Sequence, residues 1–272
     1  MEKIAIITDS CSDLKEEYRK ENNIFVLPIQ ISCDGKTYRD GIDISSKEIY
    51  QLQKEHMLKT SSPVGQELFS LLESLKVNGY SHVIGIFLSA GISGTSNQMR
   101  LFSQSQEDLV CHIIDSKSAS VGLGIIAIEL AHYCQKGVTF EQAISYGEKL
   151  VEENYAYFSI DDLGFLQKGG RIGKASAFLG TTLKIKPILS FEKENGEIYV
   201  PSKVRGNKKV KSKLVELIEK HLEDHPHQKF ALAIADGNNL EERNELEKML
   251  KEKFPTFEYI IDGHVGAAES VK

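Results

Sequence analysis

Continuous apolar runs alternate with amphipathic segments through the first half of the chain. The runs at 4–7, 83–88 and 111–114 lack a regular polar alternation, which is typical of strands buried on both faces. Segments with helical periodicity follow these runs, over about 13–21, from Pro63 onward, near Asn97, and over 119–135 and 140–153. This order of strands and helices predicts a parallel sheet with helices on both faces, a three-layer α/β/α arrangement.

Residues 25–61 interrupt this alternation. An Asp34-Gly35 pair within the extended stretch 25–44 predicts a hairpin, and residues 46–56 predict a short helix. Ser62 followed by Pro63 predicts a helix start, because serine is a favoured N-cap and proline a favoured first helical residue. We therefore expect Thr60 and Ser61 just ahead of a helix N-terminus.

The second half of the chain has a different pattern. An Asn195-Gly196 turn predicts a hairpin. Strands are predicted at 155–160, 183–191, 198–200, 230–235 and 257–261, and helices at 210–222 and 240–253. The prediction is an α/β protein of two domains, with a parallel-sheet domain over 1–156 and a smaller domain with a mixed sheet over 157–272.

Composition excludes several classes of function. The 272 residues carry a net charge of -6, and nucleic-acid binding requires a basic surface. The four cysteines include no C-x-x-C pair, so neither a disulfide nor a metal site is expected, and a reducing cytoplasm fits. The apolar stretch 121–131 is about half a membrane span and contains Glu129, so no membrane insertion is expected.

The segment 89–97 carries the chemistry that the sequence shows most clearly. An apolar strand ends at Ser89, a loop contains Ser93, Gly94 and Thr95, and a helix is expected to follow. Free amides at a helix N-terminus, with hydroxyl groups beside them, form a site for a negatively charged group. Asp9 and Asp115 end the neighbouring strands and belong at the same edge of the sheet.

Other motifs favour structural roles over catalysis or cofactor binding. The segment 91–95 resembles a nucleophile elbow, but Thr95 stands where that motif has glycine. A G-x-G-x-x-A pattern at 122–127 falls inside a predicted helix rather than at a strand-to-helix turn. Asp9 and Asp115 could bind magnesium, although the favoured interpretation is that each caps the helix that follows it.

Two further segments stay open. The basic residues between 203 and 213 indicate a solvated helix start, or a surface for an acidic partner or a phosphate. In the segment 163–188, glycines surround Arg171. The same segment contains large apolar residues among small ones, which would either form ordinary core or line an apolar tunnel; they are Phe165, Phe178, Leu179 and Ile188.

The ordered set of motifs resembles the DegV family of bacterial fatty-acid-binding proteins. It comprises Thr8-Asp9-Ser10, the segments 60–63 and 88–95, Asp115-Ser116, the segments 166–173 and 183–189, Lys203-Val204-Arg205, and His264-Val265-Gly266. These motifs span nearly the whole chain in the family's order. After Gly266 the sequence departs from the family's proline- and glycine-rich ending.

The resemblance implies a two-domain protein that holds one long-chain fatty acid, such as palmitate, in a tunnel between the domains. It places the carboxylate at Thr60, Ser93 and His264, to which the helix-start argument adds Ser61 and the Gly94 amide. Some members present the acid to a separate ATP-using fatty acid kinase, and Arg171 and Arg205 match the residues implied in that contact. No cofactor, no metal and no catalytic residue is implied.

The free energies of the expected contacts indicate different roles for the acyl chain and the carboxylate of a bound fatty acid. Each buried methylene contributes roughly 0.8 kcal/mol, so a long acyl chain would supply most of the affinity. A hydrogen bond to a charged group contributes about 1.5–3 kcal/mol, so the hydroxyls would select and orient the head group. Two alternatives stay open at this point, which are a phosphoryl- or acyl-transfer enzyme using Asp9, Ser93 and His264, and an interaction module without a ligand.

Overall fold

A computed structural model describes residues 2–104, 108–180, 185–226, 229–255, 257 and 260–266. Its strands are β1 Ile4–Asp9, β2 Ile24–Leu27, β3 Gln30–Cys33, β4 Lys36–Arg39, β5 Lys59–Ser61, β6 His82–Phe87, β7 Val110–Asp115, β8 Ile185–Phe191, β9 Ile198–Arg205, β10 Leu232–Asp236 and β11 Ile260–His264. Its α-helices are α1 Glu16–Glu21, α2 Ser46–Leu52, α3 Gly65–Val77, α4 Thr95–Ser103, α5 Val121–Cys134, α6 Phe140–Glu153, α7 Gly164–Gly169, α8 Val210–Asp224 and α9 Leu240–Lys253.

A four-stranded parallel sheet with the order β2-β1-β6-β7 forms the centre of the N-terminal half. Successive side chains of a strand point to opposite faces, so each strand contributes to two hydrophobic layers. On β1, Ile6 packs with one layer, while Ala5 and Ile7 pack with the other. The predicted three-layer arrangement and the α/β class are confirmed.

The two faces of this sheet are covered by different helices. Leu123 and other buried residues of α5, with Phe140 and Val151 of α6, pack against one face, which we call the closed face. Leu68 and Leu72 of α3 and Met99 of α4 pack against the opposite face, which we call the cavity face. The closed face belongs to the larger of the two hydrophobic clusters, which extends into the C-terminal half.

A second, antiparallel sheet with the order β4-β3-β5 corrects one expectation. Thr60 pairs with Ile31 and Ser61 with Gln30, so both predicted site residues lie on a strand. The predicted helix start at Ser62-Pro63 is wrong, because α3 begins at Gly65 with Val64 at its N-cap and no side-chain cap. The backbone of 59–61 bonds to β3 instead, and tertiary pairing thereby overrides the local capping signal.

The strands of the C-terminal half form two pairs in the described residues. The predicted hairpin is confirmed, since β8 and β9 are antiparallel around the turn containing Gly196 (φ 70°), whereas β10 and β11 are parallel. The predicted strand at 155–160 is wrong, since only Phe158 makes an isolated bridge, to Leu189. Residues 183–184 of the predicted 183–189 motif and part of 257–261 lie outside the described residues.

The hydrophobic core continues across the predicted domain boundary. Leu166, Leu189 and Ile261 join the same cluster as the closed face. A small separate cluster lies between α8, β10 and α9, with Val215, Ile234 and Leu250 at its centre. The division at residue 156 therefore stays a prediction. None of the helices described here has the length and apolar character needed to cross a bilayer.

Candidate functional site

Three hydroxyl groups form a hydrogen-bonded chain where α4 begins. Ser93 Oγ and Thr95 Oγ1 lie 2.9 Å apart, and Thr95 Oγ1 donates to Ser62 Oγ at 3.2 Å. Because Thr95 uses its proton toward Ser62, Ser93 donates to Thr95, and Ser62 holds the terminal O–H. We call Ser62, Ser93 and Thr95 the hydroxyl cluster. Its terminal donor can turn toward an anion.

The N-terminus of α4 adds a positive electrostatic contribution beside the hydroxyl cluster. Gly94 is the exposed N-cap, and the first turn of α4 contains no acidic side chain. The amide of Thr95 donates to Ser93 Oγ at 3.3 Å, which anchors the loop to the helix. The partial positive charge of the helix end is thus not offset by a carboxylate of the helix itself. This arrangement suits the anion site predicted at Ser93 and Gly94.

A buried aspartate, Asp9, and a half-buried one, Asp115, fix the backbone that leads into this loop. Asp9 accepts from the amides of Cys11 (2.9 Å) and Leu88 (3.0 Å). Asp115 accepts from the amides of Ala90 (2.9 Å) and Lys117 (3.1 Å). Both carboxylates therefore hold backbone amides at the carboxyl ends of the strands. This supports the structural reading of Asp9 and Asp115 over magnesium binding.

The loop also contacts the hairpin of the C-terminal half. Ser89 Oγ donates to the carbonyl of Gly196 at 2.8 Å, and Ser96 Oγ donates to the carbonyl of Leu88 at 3.0 Å. A Cβ added to Gly91 would meet the carbonyl carbon of Gly196 at 2.4 Å. The close approach of these two backbones requires glycine at position 91. The hydroxyl-rich loop is therefore held in place from both halves of the chain.

Thr60 and Ser61 differ in exposure and in orientation. Thr60 is half-buried and Ser61 is exposed on β5. Since side chains alternate along a strand, Thr60 and Ser61 point to opposite sides of β5. Ser62, the first residue after β5, is the one that contacts Thr95. Thr60 and Ser61 as site residues both stay predictions.

A small apolar cavity lies between the sheet and the helices α3 and α4. Its volume is about 10 Å³, roughly that of one water molecule. Apolar side chains of the sheet and the two helices line it, among them Ile7, Leu68, Leu72, Phe87, Met99 and Ile113. Ser62 precedes α3 and Thr95 begins α4, so the hydroxyl cluster lies at the N-terminal ends of both helices that cover the cavity.

His264 lies at the end of β11, and its described contacts are with Asp236 and Tyr50 rather than with the hydroxyl cluster. Its Nδ1 is 3.0 Å from Asp236 Oδ1, and Asp236 also accepts from the amide of Asn239 at 3.0 Å. An ionised carboxylate only accepts, so Nδ1 donates and Nε2 is directed away from Asp236. The ring is 43% exposed and packs edge-on against Tyr50, with ring centroids 6.1 Å apart.

Tyr50 and Asp13 bind the backbone of the last described residues, Val265 and Gly266. Burial, with the charges of Asp13 and Asp236, raises the pKa of Tyr50 to about 12. Its hydroxyl donates to the carbonyl of Val265 at 3.2 Å, and the amide of Gly266 donates to Asp13 at 2.8 Å. These contacts fix the backbone on the C-terminal side of His264.

The two arginines predicted for partner contact have different environments. Arg171 Nε donates to the carbonyl of Ile92 at 3.2 Å, and its Nη1 donates to the carbonyl of Gly169. Arg205 ends β9 opposite Ile185 and is exposed. Arg171 thus touches the loop that contains Ser93. The predicted tunnel residues also differ, since Phe165 is 46% exposed whereas Ile188 is fully buried.

The described contacts do not activate a nucleophile at Ser93. The hydroxyl partner of Ser93 is Thr95, and neither Thr95 nor Ser62 is a base that could remove its proton. Burial raises the pKa of Cys111 and Cys134 to about 11, which keeps both thiols protonated near neutral pH. The geometry favours anion binding over covalent catalysis.

Sequence reasoning missed Ser62, Thr95 and Asp236 as members of these groups. The sequence predicts Ser62 as a helix cap, whereas in the structure Ser62 directly follows β5 and α3 begins only at Gly65. Asp236 becomes a partner of His264 only through the pairing of β10 with β11. No local signal in the sequence marks that pairing.

Comparisons with known proteins give a consistent result along the whole chain. The model of the family described as "Uncharacterised protein, DegV family" matches residues 3–271. A DegV domain-containing protein of Clostridium acetobutylicum is 38% identical over 224 residues, covering 82% of this chain and 80% of its own length.

Two solved structures have the same fold as this chain. The DegV protein of Bacillus subtilis, described as a fatty acid binding protein, superposes with a TM-score of 0.89 at 31% identity, covering 100% of this chain and 95% of that one. A fatty acid (stearic acid)-binding protein from Eubacterium ventriosum superposes with a TM-score of 0.88 at 26% identity, covering 100% and 94%.

Proposed function

Because this chain belongs to the DegV family, as its motifs predicted, we propose that it binds one long-chain fatty acid. The observation that carries the proposal is that the hydroxyl cluster lies at the N-terminal ends of α3 and α4, the two helices that cover the apolar cavity. Hydroxyl groups at the helix ends and apolar side chains beneath the helices match the two parts of a fatty acid. Fatty acid binding by the Bacillus subtilis relative supports the same ligand class.

The carboxylate is proposed to lie among Ser62, Ser93 and Thr60, with the amide of Gly94 completing the set. Ser62 supplies the terminal O–H of the hydroxyl cluster, and each hydrogen bond to the charged head contributes about 1.5–3 kcal/mol. The N-terminus of α4 adds up to ~2 kcal/mol at close range. His264 is a further proposed contact, through Nε2, since Asp236 occupies Nδ1. Ser61, which is exposed on β5, stays a prediction that a matched variant tests.

The acyl chain is proposed to enter between the two helices and the sheet. The existing cavity of about 10 Å³ is far too small for a long chain, so α3 and α4 must separate from the cavity face as the acid enters. This path lies within the N-terminal half. It differs from the predicted tunnel between the halves, which stays a prediction; of its residues, Phe165 is 46% exposed and Ile188 is buried.

A separate ATP-using kinase is the proposed partner that would phosphorylate the presented acid. Arg171 supports this role because it hydrogen-bonds the carbonyl of Ile92, next to Ser93, and so links the head-group loop to the predicted partner surface. Arg205 is the second proposed contact. The chain itself would then be a non-catalytic carrier.

Lipid extraction tests the binding proposal directly. Protein purified from bacterial cells is denatured and extracted, and the extract is analysed by mass spectrometry. We expect about one long-chain fatty acid per chain, since burial of the acyl chain dominates affinity. An extract without fatty acid, from protein that also fails to bind added fatty acid, would refute the proposal.

Neighbouring serines provide a matched pair of variants for the head group. Ser62→Ala is expected to weaken binding by about tenfold or more, because it removes a donor to a charged group. Ser61→Ala, at the exposed last residue of β5, is the control with the same chemical change. Equal losses in both variants would return Ser61 to the site, and no loss in Ser62→Ala would remove the hydroxyl cluster from it.

A further inference from the structure

Cys33, Asp34 and His56 converge at a point outside the proposed lipid site. One ligand atom from each, namely the thiol sulfur, a carboxylate oxygen and a ring nitrogen, lies within 4.8 Å of the other two. His56 Nδ1 and Asp34 Oδ2 are 2.7 Å apart. The three donors are chemically different, so this is neither an acidic cluster nor an isolated thiol.

The backbone around these residues is well defined. Cys33 ends β3, and the hairpin turn that follows places Asp34 and Gly35 at φ 47° and 78°, the left-handed values of a type I′ turn. His56 follows α2, and its amide donates to the carbonyl of Leu52 at 2.9 Å. Two of the donors thus come from one tight turn, and the third comes from a hydrogen-bonded helix end.

We propose that Cys33, Asp34 and His56 bind a zinc ion, with solvent completing the coordination. Thiolate, imidazole and carboxylate are the protein ligands that Zn²⁺ prefers, and three protein ligands with an open fourth position are a known zinc arrangement. Binding displaces the thiol proton of Cys33 to solvent. This inference is independent of the proposed lipid function.

The distances require only small adjustments. Donors on one tetrahedral zinc, at about 2.0–2.3 Å from the metal, lie roughly 3.5 Å from one another. Separations of at most 4.8 Å must close by no more than about 1 Å, and the contact of 2.7 Å must open by slightly less than that. Rotation about the side-chain bonds of Asp34 and His56 supplies such changes, because these side chains are 69% and 36% exposed.

The affinity of this site for Zn²⁺ depends on solvent access to the ion and on the charges around it. Cys33 is 7% exposed, so the sulfur would lie on the protein side of the ion, and solvent would reach it past Asp34. Lys36, which pairs with Cys33 across the hairpin, opposes a cation, but its side chain is on an exposed position. The ligands carry two negative charges once Cys33 is a thiolate, which leaves a net attraction for Zn²⁺.

A simple ion pair between His56 and Asp34 would give the same contact without any metal. The thiol of Cys33 distinguishes a zinc site from an ion pair, because an ion pair between His56 and Asp34 does not involve sulfur. Co²⁺ is therefore the probe, since it occupies zinc sites and shows a sulfur-to-cobalt charge-transfer absorption only when a thiolate is bound. The tag-free, full-length chain, stripped with a chelator, is titrated with CoCl2, and ZnCl2 is then added to displace the cobalt.

We expect one cobalt per chain with a thiolate absorption that zinc abolishes. Cys33→Ser should remove the absorption, and His56→Gln should weaken binding roughly tenfold or more, the loss typical of perturbed metal sites. His112→Gln is the matched control, because His112 faces Glu148 at 3.7 Å with the same 36% exposure but belongs to no such group of three ligands among the described residues. Cobalt uptake without thiolate absorption, no uptake, or an equal loss in His112→Gln would each overturn the proposal.

Discussion

The closed face and the cavity face of the central sheet are packed to different degrees. On the closed face, a Cβ at Gly124 of α5 would lie 2.5 Å from the backbone carbonyl oxygen of Ser12, so helix and loop are in direct backbone contact. On the cavity face, the three atoms nearest to a Cβ at Gly85 would be side-chain atoms of Phe87 and Ile113, beside the cavity. Two backbone segments in direct contact cannot move apart easily to accept an added methyl group. Side chains that lie beside a cavity can move into it.

This difference assigns separate tasks to the two faces. The closed face carries the larger hydrophobic cluster and joins it to the C-terminal half, so its integrity holds the fold together. The cavity face has a smaller cluster and carries the hydroxyl cluster at its edge. An acyl chain that separates α3 and α4 from the sheet would leave the larger cluster intact. The two faces can therefore be probed by matched substitutions.

The largest effect is expected from leucine truncations on the two faces. Leu123→Ala on the closed face and Leu72→Ala on the cavity face should each lower the free energy of unfolding by about 2–5 kcal/mol in ligand-free protein, since both side chains are fully buried. Only Leu72→Ala should shift the bound acids toward longer or bulkier chains. Urea unfolding and mass spectrometry of extracted lipids measure these effects. The same lipid profile in both variants would contradict the distinction between the faces.

Alanine substitutions at glycine provide the next contrast. Gly124→Ala should destabilise the protein by about 1–3 kcal/mol, because the new methyl group meets a fixed carbonyl oxygen. Gly85→Ala should cost less than ~1 kcal/mol, because the Phe87 ring and the end of Ile113 can move toward the cavity. Thermal unfolding of ligand-free protein compares them. A larger loss for Gly85→Ala would show that the cavity face is the more rigid one.

The closed face also supports His264, which gives a third test. β11 packs on α5, where a Cβ at Gly263 would lie 2.3 Å from Val121 Cγ1. Asp236→Ala should cost about 1–3 kcal/mol, because the Asn239 amide loses its acceptor. Nitrogen NMR should show the proton of neutral His264 moving from Nδ1 toward Nε2. An unchanged tautomer would mean that Asp236 does not orient the ring.

The smallest effect is expected at Lys193, where the β8–β9 turn meets the end of α6. Lys193 Nζ donates to the carbonyl of Val151 at 3.0 Å and to that of Asn154, and burial lowers its pKa to about 8. An unfolded lysine keeps its proton to about pH 10.5, so the folded state binds fewer protons between these values and stability rises with pH there. The gain should be about 1 kcal/mol or less, since water screens the partly exposed amine.

A lysine-to-methionine change isolates that contribution. Lys193→Met removes the titrating amine and keeps the length of the side chain. The rise in the urea midpoint between pH 8 and 10.5 should be smaller in this variant than in the unchanged chain. An identical rise in both proteins would assign the pH dependence to other groups.

The elements of this fold follow closely from local pattern, with two instructive failures. The helix over 140–153 matches its prediction because a Thr139 capping box and an amphipathic pattern agree. The strand predicted at 155–160 fails because an apolar stretch shows only that it is buried, and Phe158 finds just one bridge partner. The helix predicted at Ser62-Pro63 starts later because β5 takes up the preceding backbone.

The candidate site was predictable only in part. Ser93 and Gly94 follow from a strand that ends in a hydroxyl-rich loop before a helix, since the carboxyl ends of parallel strands are the ligand side of such sheets. The contact of Ser62 with Thr95 depends on where β5 places its end. The sequence predicts no metal site, because its cysteines form no C-x-x-C pair. The group proposed to bind zinc forms only in the tertiary structure, since β4 and α2 separate Cys33 from His56.

The sequence by itself determined the α/β class, most helices and strands, the family and the edge of the sheet that carries the hydroxyl groups. These properties depend on periodicity and on neighbours within a few residues, which can be read from the order of side chains. The tertiary structure decided which hydroxyls form one chain, that Asp236 faces His264, and that a cavity lies under α3 and α4. Such contacts depend on strand register and on the packing of distant segments, where a displacement of one residue moves a side chain to the opposite face.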